Sequence, residues 1–385
     1  MDETLKKIIE ADSTPAYIFD ISVLKKRVEY LRSKMPKDIL LCYAIKANTF
    51  IVKDIESDVD RFEVCSPGEY EICKFKNINK DKILISGVYK TPEVIKCMAL
   101  DDEITNFSIE SMEQFELIKN LNCKNKLRLM LRLTSGNQFG INEEEIEEII
   151  KNRNNYPNIK ITSIQYFSGT QKVSLKNLKR ELDYVDEFIK NIKEKYKFSF
   201  EELEFGPGFP VHYFQNSEFD EDSFLTEFAS YLNQMKYSGK KILEIGRSIA
   251  ASCGKYITKV VDMKVNKSQN YAILDGGIHH LTYYGQSMAM KIPKCSVYPK
   301  REISGEEKWN LFGSLCTIND ILVKQFPVSN LKIGDVFIFE NTGAYCMTEG
   351  ISLFLSRRLP KVIKITENGN IETLREHLDT YNINM

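Results

Sequence analysis

Eight short runs of apolar, β-type residues recur along the first 250 residues, and most of the gaps between them hold a segment of helical character. The runs are ILLCYAIK (39–46), DRFEVCS (60–66), KILISG (82–87), EITNFSI (103–109), LRLMLRL (127–133), IKITSIQYF (159–167), ELEFG (202–206) and KILEIG (241–246). In the gaps, TPEVIKCMAL places Thr91 as an N-cap with Pro92 at the first helical position, and NEEEIEEIIKNR is a second helix-like segment. SLKNLKRELDYVDEFIKNIKEKY (174–196) has the spacing of a long amphipathic helix capped by Ser174. Strands that read as near-continuous apolar runs are buried on both faces, and strands joined through helices run parallel. Eight of them predict an α/β fold, a (β/α)8 TIM-like barrel.

Past residue 250 the texture changes to strands joined by turns, as in KYITKVVDMKVNK, NYAILDGG, KWNLFGSLC, DVFIFENTG and KVIKITENGNIETL. These predict a C-terminal antiparallel β domain over 251–385 behind a barrel over 26–250. TPAYIFD (14–20) is strand-like but precedes the barrel rhythm, so residues 1–25 are expected to add a strand to the C-terminal sheet.

With 53 basic and 54 acidic residues the net charge is −1, so no field of one sign points to nucleic acid or a membrane surface. The opening MDETLKKIIEADSTPAY lacks the apolar core of a signal peptide, and no apolar run is long enough to span a bilayer. The nine cysteines are scattered and include no C-x-x-C, which argues against a disulfide framework and against a structural metal site. A reduced, cytoplasmic setting is the expectation.

In a barrel, chemistry gathers at the C-terminal strand ends, and phosphate often binds beside the loops after strands seven and eight. Here those loops are FGPGFP (205–210) and GRSIAASCG (246–254). Gly206 and Gly208 let backbone N–H groups approach an anion, and Arg247 offers a bidentate fork. Each has a plainer reading, the glycines as turn residues and the arginine as a surface side chain. Lys46 closes the first run. It either snorkels to the rim, pairs with Glu63 or Glu69, or faces a phosphate anchor as a Schiff-base lysine of pyridoxal phosphate. Glu244, at the end of the eighth run, either pairs with a protonated pyridine nitrogen or forms a salt bridge to Arg247.

Taken in order, YAIKAN, FEVCSPGE, EFGPGFP, EIGR, GSLCTIND and ENTGAYCM resemble the motifs of the pyridoxal-phosphate-dependent decarboxylases of the alanine-racemase-type barrel, the diaminopimelate, ornithine and arginine decarboxylases. The resemblance runs from about Thr14 to Phe354. It implies Lys46 as the Schiff-base lysine, Glu244 at the pyridine nitrogen, Arg247 near phosphate and substrate, Gly206 and Gly208 around the phosphate, and Tyr345 on the phosphate. It also implies Cys316 as a proton donor near the decarboxylated carbon, with Asp320 as a nearby acid on the substrate. An obligate homodimer follows, with shared active sites and the cysteine segment crossing the interface.

The departures bear on substrate. Where the family stacks a histidine on the cofactor ring, QYFSGTQ places Phe167, with Thr170 in place of the following serine. Phenylalanine can stack but cannot carry charge. The arginine that diaminopimelate decarboxylases carry after D-x-G is missing between Asp275 and Met288, and the glutamate that follows their cysteine is Thr317 here. DGGIHH, SGTQ and GSLCT look instead like the butirosin-type branch, which acts on a glutamyl group tethered to an acyl carrier protein. His279 and His280 are then either near the site or in a loop or interface role. If both lie on a strand they point to opposite sides, so at most one reaches the substrate. The reading is decarboxylation of a small amino acid, free or on an aminoacyl carrier protein. Its rivals are a pyridoxal-phosphate racemase and a pyridoxal-phosphate-binding protein without turnover.

Overall fold

The computed structural model describes residues 3–101, 104–121, 123–216, 219–301 and 307–385. The chain divides into two compact units. One comprises 28–210 and 220–249, the other 1–27, 211–219 and 250–385.

The first unit is a closed parallel barrel. With the strand Ala16–Asp20 of the other unit numbered β1, its staves are β2 (Leu40–Ala44), β3 (Arg61–Val64), β4 (Ile83–Ile85), β5 (Asn106–Ile109), β6 (Leu127–Leu133), β7 (Ile159–Phe167), β8 (Glu202–Gly206) and β9 (Lys240–Ile245). β9 pairs back onto β2 through Leu40–Ile242 to Tyr43–Ile245 and closes the ring. All eight predicted runs became staves; Glu103, at the head of the fourth, lies outside the described residues. Caps fall where the side chains dictate. Ser174 Oγ accepts from Asn177 N at the start of helix Leu175–Tyr196, and Ser66 Oγ accepts from Glu69 N at the start of Pro67–Phe75. Pro92 begins a helix, but the Thr91 side chain makes no cap bond. Helix Leu175–Tyr196 buries Leu178, Leu182, Val185, Phe188, Ile189 and Ile192, the i, i+4, i+7 stripe that covers the barrel wall.

The second unit is built on a nine-stranded sheet. Its members after β1 are β10 (Gly254–Asn266), β11 (Gln269–Leu274), β12 (Cys295–Tyr298), β13 (Lys308–Phe312), β14 (Ile321–Pro327), β15 (Val336–Glu340), β16 (Lys361–Ile365) and β17 (Ile371–Arg375). The sheet is mixed rather than wholly antiparallel: β1 pairs parallel with β16, and β11 parallel with β13. β1 runs antiparallel to β10, so the N-terminal strand is interior to this sheet. Its core gathers Leu5, Ile8, Ile18, Ile257, Ile338 and Ile363. β12 and β14 were not anticipated, because their polar and charged residues, such as Lys324 and Gln325, blur the alternation. Among the described residues no helix is long and apolar enough to cross a membrane.

Candidate active site

Within the barrel, a ladder of polar side chains replaces the apolar filling that such interiors ordinarily hold. At its base Arg61 Nη2 meets Glu202 Oε2 at 2.7 Å and Arg61 Nη1 meets Glu204 Oε2 at 2.9 Å. Above them Gln165 Nε2 donates to Glu204 Oε1 at 3.3 Å and to Glu244 Oε2 at 2.8 Å, while its own oxygen accepts from Ser108 Oγ at 3.1 Å. Gln165, Glu204, Glu63 and Glu244 are all buried. Each buried carboxylate needs a partner of its own, and the ladder supplies one at every rung.

Lys46 stands at the C-terminal end of this ladder. It lies two residues past β2, in the single 3-10 turn Ile45–Ala47, rather than on the strand itself. Its Nζ meets Glu63 Oε2 at 2.7 Å and lies 3.5 Å from Cys65 Sγ. Burial alone would raise the Glu63 carboxyl, but the Lys46 ammonium outweighs it and holds Glu63 below the usual carboxylate range. Glu69 takes another role: its Oε2 accepts from the backbone N–H of Cys65 at 2.6 Å. Glu244 goes the opposite way from Glu63. Burial, and then the charge on Glu63, push its carboxyl up to about 8.

The rim after β7 and β8 is a close-packed glycine corner. A Cβ on Gly206 would lie 2.3 Å from Phe167 Cδ2, and a Cβ on Gly208 would lie 2.2 Å from the Gly169 carbonyl oxygen. Gly208 also holds φ at +59°, the left-handed region. Arg247 Nε donates to Thr170 Oγ1 at 3.2 Å, so Gly206, Gly208, Thr170 and Arg247 share one corner of the barrel mouth. The half-buried Phe167 ring lies beside it, 5.9 Å from the Arg132 guanidinium carbon. Arg132 and its partner Glu110, 2.9 Å apart and both buried, were not assigned a role from sequence, nor was Gln165. Their signal was available: a charged or amide side chain inside a buried strand run must face a partner in the barrel. Lys90, donating to Gly87 O and Gln114 Oε1 at 2.6 and 2.9 Å, is lowered to about 8 by burial.

In the second unit the structure assembles a different group. Cys316 is exposed on the loop between β13 and β14. Asp320, expected on the substrate, is buried, and its carboxylate is taken up by backbone. Oδ1 accepts from Ile278 N at 2.8 Å, and Oδ2 from Leu315 N at 2.7 Å. Gly277 and Gly313 make room for it, since a Cβ on either would come within 2.4 Å of a carboxylate oxygen. Asp320 therefore positions the Cys316 loop. His279 and His280 sit in a turn rather than on a strand, and their ring centroids are 3.8 Å apart. His280 is bonded on both sides, to Tyr256 Oη at 3.1 Å and Arg358 O at 2.7 Å. Among the described residues, buried His279 has no hydrogen-bond partner on either nitrogen. Tyr345 is half-buried with φ +63°, at the end of a segment whose Gly343 packs directly on Ala250 and Gly254.

Residues 21–259 match the family described as pyridoxal-dependent decarboxylase, pyridoxal binding domain. The chain belongs to that family. It is a pyridoxal-phosphate-dependent amino-acid decarboxylase with a (β/α)8 barrel and a C-terminal β domain. Among curated relatives, 2-[(L-alanin-3-ylcarbamoyl)methyl]-2-hydroxybutanedioate decarboxylase of Staphylococcus aureus is 27% identical, over 94% of this chain and 98% of the relative. L-glutamyl-[BtrI acyl-carrier protein] decarboxylase of Niallia circulans is 28% identical, over 94% and 91%. The fold is that of diaminopimelate decarboxylase from Helicobacter pylori, TM-score 0.87 at 23% identity over 98% of both chains.

The residues on the barrel fit the family's cofactor. A carboxyl kept protonated by burial, as Glu244 is, becomes a stable carboxylate when a pyridinium N–H is placed against it. The glycine corner brings close-packed backbone and the Arg247 guanidinium to one place, the kind of donors a phosphate takes.

Proposed function

We propose that this decarboxylase removes the α-carboxylate of an amino acid whose distal end carries no free ammonium, being joined instead through an amide or a thioester. The observation that carries the reading is Thr317, an uncharged residue, in the position after Cys316. No arginine lies between Asp275 and Met288 either, so two charged readers of a zwitterionic tail are missing. The two relatives above act, by their names, on an amide-linked and a carrier-linked amino acid, which supports the same reading.

Bound pyridoxal phosphate supplies the electron sink for the electron pair released with carbon dioxide. Lys46 would hold the cofactor through Nζ, Glu244 would meet its ring nitrogen, and Phe167 would cover a ring face. Gly206, Gly208, Thr170, Arg247 and Tyr345 would hold its phosphate. Glu63 orients Lys46 Nζ at the barrel mouth through its 2.7 Å ion pair. Cys316 holds a proton at Sγ for the carbon that loses its carboxylate. The working form is a cytoplasmic homodimer with shared sites, the Cys316 loop of one subunit serving Lys46 of the other.

The test is incubation of the holoenzyme with diaminopimelate, lysine, ornithine, glutamate, side-chain-acylated 2,3-diaminopropionate and glutamyl carrier thioesters, read by release of carbon dioxide. An amide- or thioester-linked substrate should give the highest rate. Formation of a D-amino acid without carbon dioxide would replace the reading by a racemase, and no conversion at all by a binding protein.

A further inference from the structure

Three segments of the C-terminal unit are pinned into one cluster by hydrogen bonds. Asp320 clamps the turn at Ile278 to the loop at Leu315. Ser314 N donates to Gly276 O at 2.9 Å, adding a second tie between the same two segments. His280 Nε2 bonds Arg358 O at 2.7 Å and brings the 357–358 segment to the turn. Arg357 Nη2 donates to Ser314 O at 2.7 Å and closes the triangle.

At this well-tied frame two buried polar side chains are left unmatched, and an exposed arginine stands beside them. His279 is 1% exposed, yet among the described residues neither ring nitrogen has a partner. The hydroxyl of Ser314 is likewise buried without one. Arg357 spends one of its five N–H donors on Ser314, and among the described residues no carboxylate pairs with it. Its neighbour Arg358 is paired, with Asp379 at 2.8 Å. Buried polar atoms without partners are uncommon in folded chains, so an unmatched imidazole and hydroxyl beside an exposed guanidinium mark a place shaped to take a ligand. All three can donate. The one carboxylate in the frame, Asp320, accepts a backbone N–H on each of its oxygens. His279 stays neutral at physiological pH, lowered to about 4 by burial and then by Arg357, so it keeps an N–H and adds no second charge.

We infer that Arg357, Ser314 and His279 form an anion-reading subsite for a carboxylate or phosphate carried on the distal part of the substrate, beyond its amide or thioester link. This deepens the proposed function and rests on it, because the subsite lies on the same frame as Cys316. The anion has two sources: a carboxylate on a small acylated amino acid, or the phosphate of a phosphopantetheine arm. A distal ammonium would meet Arg357 with like charge and no partner, so the same three residues select against diamines.

The experiment measures binding of reaction products, which need no turnover, to the holoenzyme by calorimetry. The probes are N-(2-aminoethyl)succinamate, its neutral terminal amide, its amine-tailed β-alanyl analogue, pantetheine and pantetheine 4′-phosphate. Wild type should bind the succinamate, or the phosphate, about tenfold or more tightly than its neutral counterpart. The probe that shows the preference names the source of the anion. Arg357→Gln should abolish it, Arg357→Lys should keep part of it, and Arg357→Glu should favour the amine tail. Equal affinity for anionic and neutral probes in wild type, or a preference that survives Arg357→Gln, overturns the subsite. Should Arg357→Gln not fold, His279→Asn and Ser314→Ala in the same comparison decide: each should reduce the preference severalfold, and an unchanged preference in both overturns it. Failure of the proposed function is separate, since it appears as no release of carbon dioxide while binding is still read.

Discussion

Lys46 Nζ lies 2.7 Å from Glu63 Oε2, and this ion pair holds the reactive amine at the barrel mouth while keeping a buried carboxylate charged. Lys46→Ala should therefore remove both the visible absorbance of lysine-bound cofactor and well over about 10³-fold of kcat, the scale of losing a nucleophile that works as a unit with its neighbours. Borohydride reduction of the wild type and peptide mapping should place the adduct on Lys46. An adduct on Lys90, the other lysine near Cys65, would reassign the site.

Glu244 gives the apoprotein a pH signature. Its folded value, raised to about 8 from an ordinary 4.5, means that the native state binds a proton more tightly than the unfolded chain. That contribution is fully present below about pH 4.5 and is lost as pH rises through 8. Thermal melts of apoprotein should fall across this window, and Glu244→Gln should flatten the fall. Adding pyridoxal phosphate should flatten it too, by giving the ionised carboxylate a partner. A wild-type apoprotein equally stable at pH 6 and pH 9 would contradict the assignment.

The barrel was legible because burial on both faces writes itself as uninterrupted apolar runs, and because Ser174 and Pro92 mark helix starts by chemistry that needs no tertiary context. That Lys46, Glu244, Arg247 and the two glycines stand at or just past the C-terminal ends of staves was legible in the strand rhythm. What sequence could not yield was direction. Asp320 is an acid near a cysteine in either reading, and only the absence of Cβ atoms at Gly277 and Gly313 turns its carboxylate inward to backbone. Adjacent histidines alternate on a strand but not in a turn, so the roles of His279 and His280 were set by a backbone conformation that their identities do not encode. The ladder through Gln165 joins residues 57 and 79 positions apart, a spacing no local pattern reveals.

A shared active site predicts recovery on mixing. Lys46→Ala subunits keep Cys316, and Cys316→Ala subunits keep Lys46. A hybrid dimer then has one site with both native residues and one with neither. After exchange at equal concentrations, activity should rise to about a quarter of wild type, since half of the dimers are hybrids and each carries one intact site. Subunit exchange should be verified by mass labelling. Exchange without recovery would mean that each chain builds its own site.

The last prediction concerns the charge at the far end of the substrate. Thr317 stands next to Cys316, and the stretch from Gly276 to Met288 supplies histidines, tyrosines and a glutamine but no arginine. A carboxylate and an ammonium brought together into such a site must both leave water, and Thr317 offers no charge to the ammonium. A missing partner for one buried charge typically costs about 3–5 kcal/mol, or roughly 10²-fold or more in kcat/KM. meso-Diaminopimelate should therefore be turned over at least about 10²-fold less efficiently than an amide- or thioester-linked substrate. Thr317→Glu should narrow that gap by raising kcat/KM for diaminopimelate and lowering it for the acylated substrate. Steady-state rates on both substrates with both proteins check this. A wild type that prefers diaminopimelate would show that a residue other than the one following Cys316 holds its ammonium.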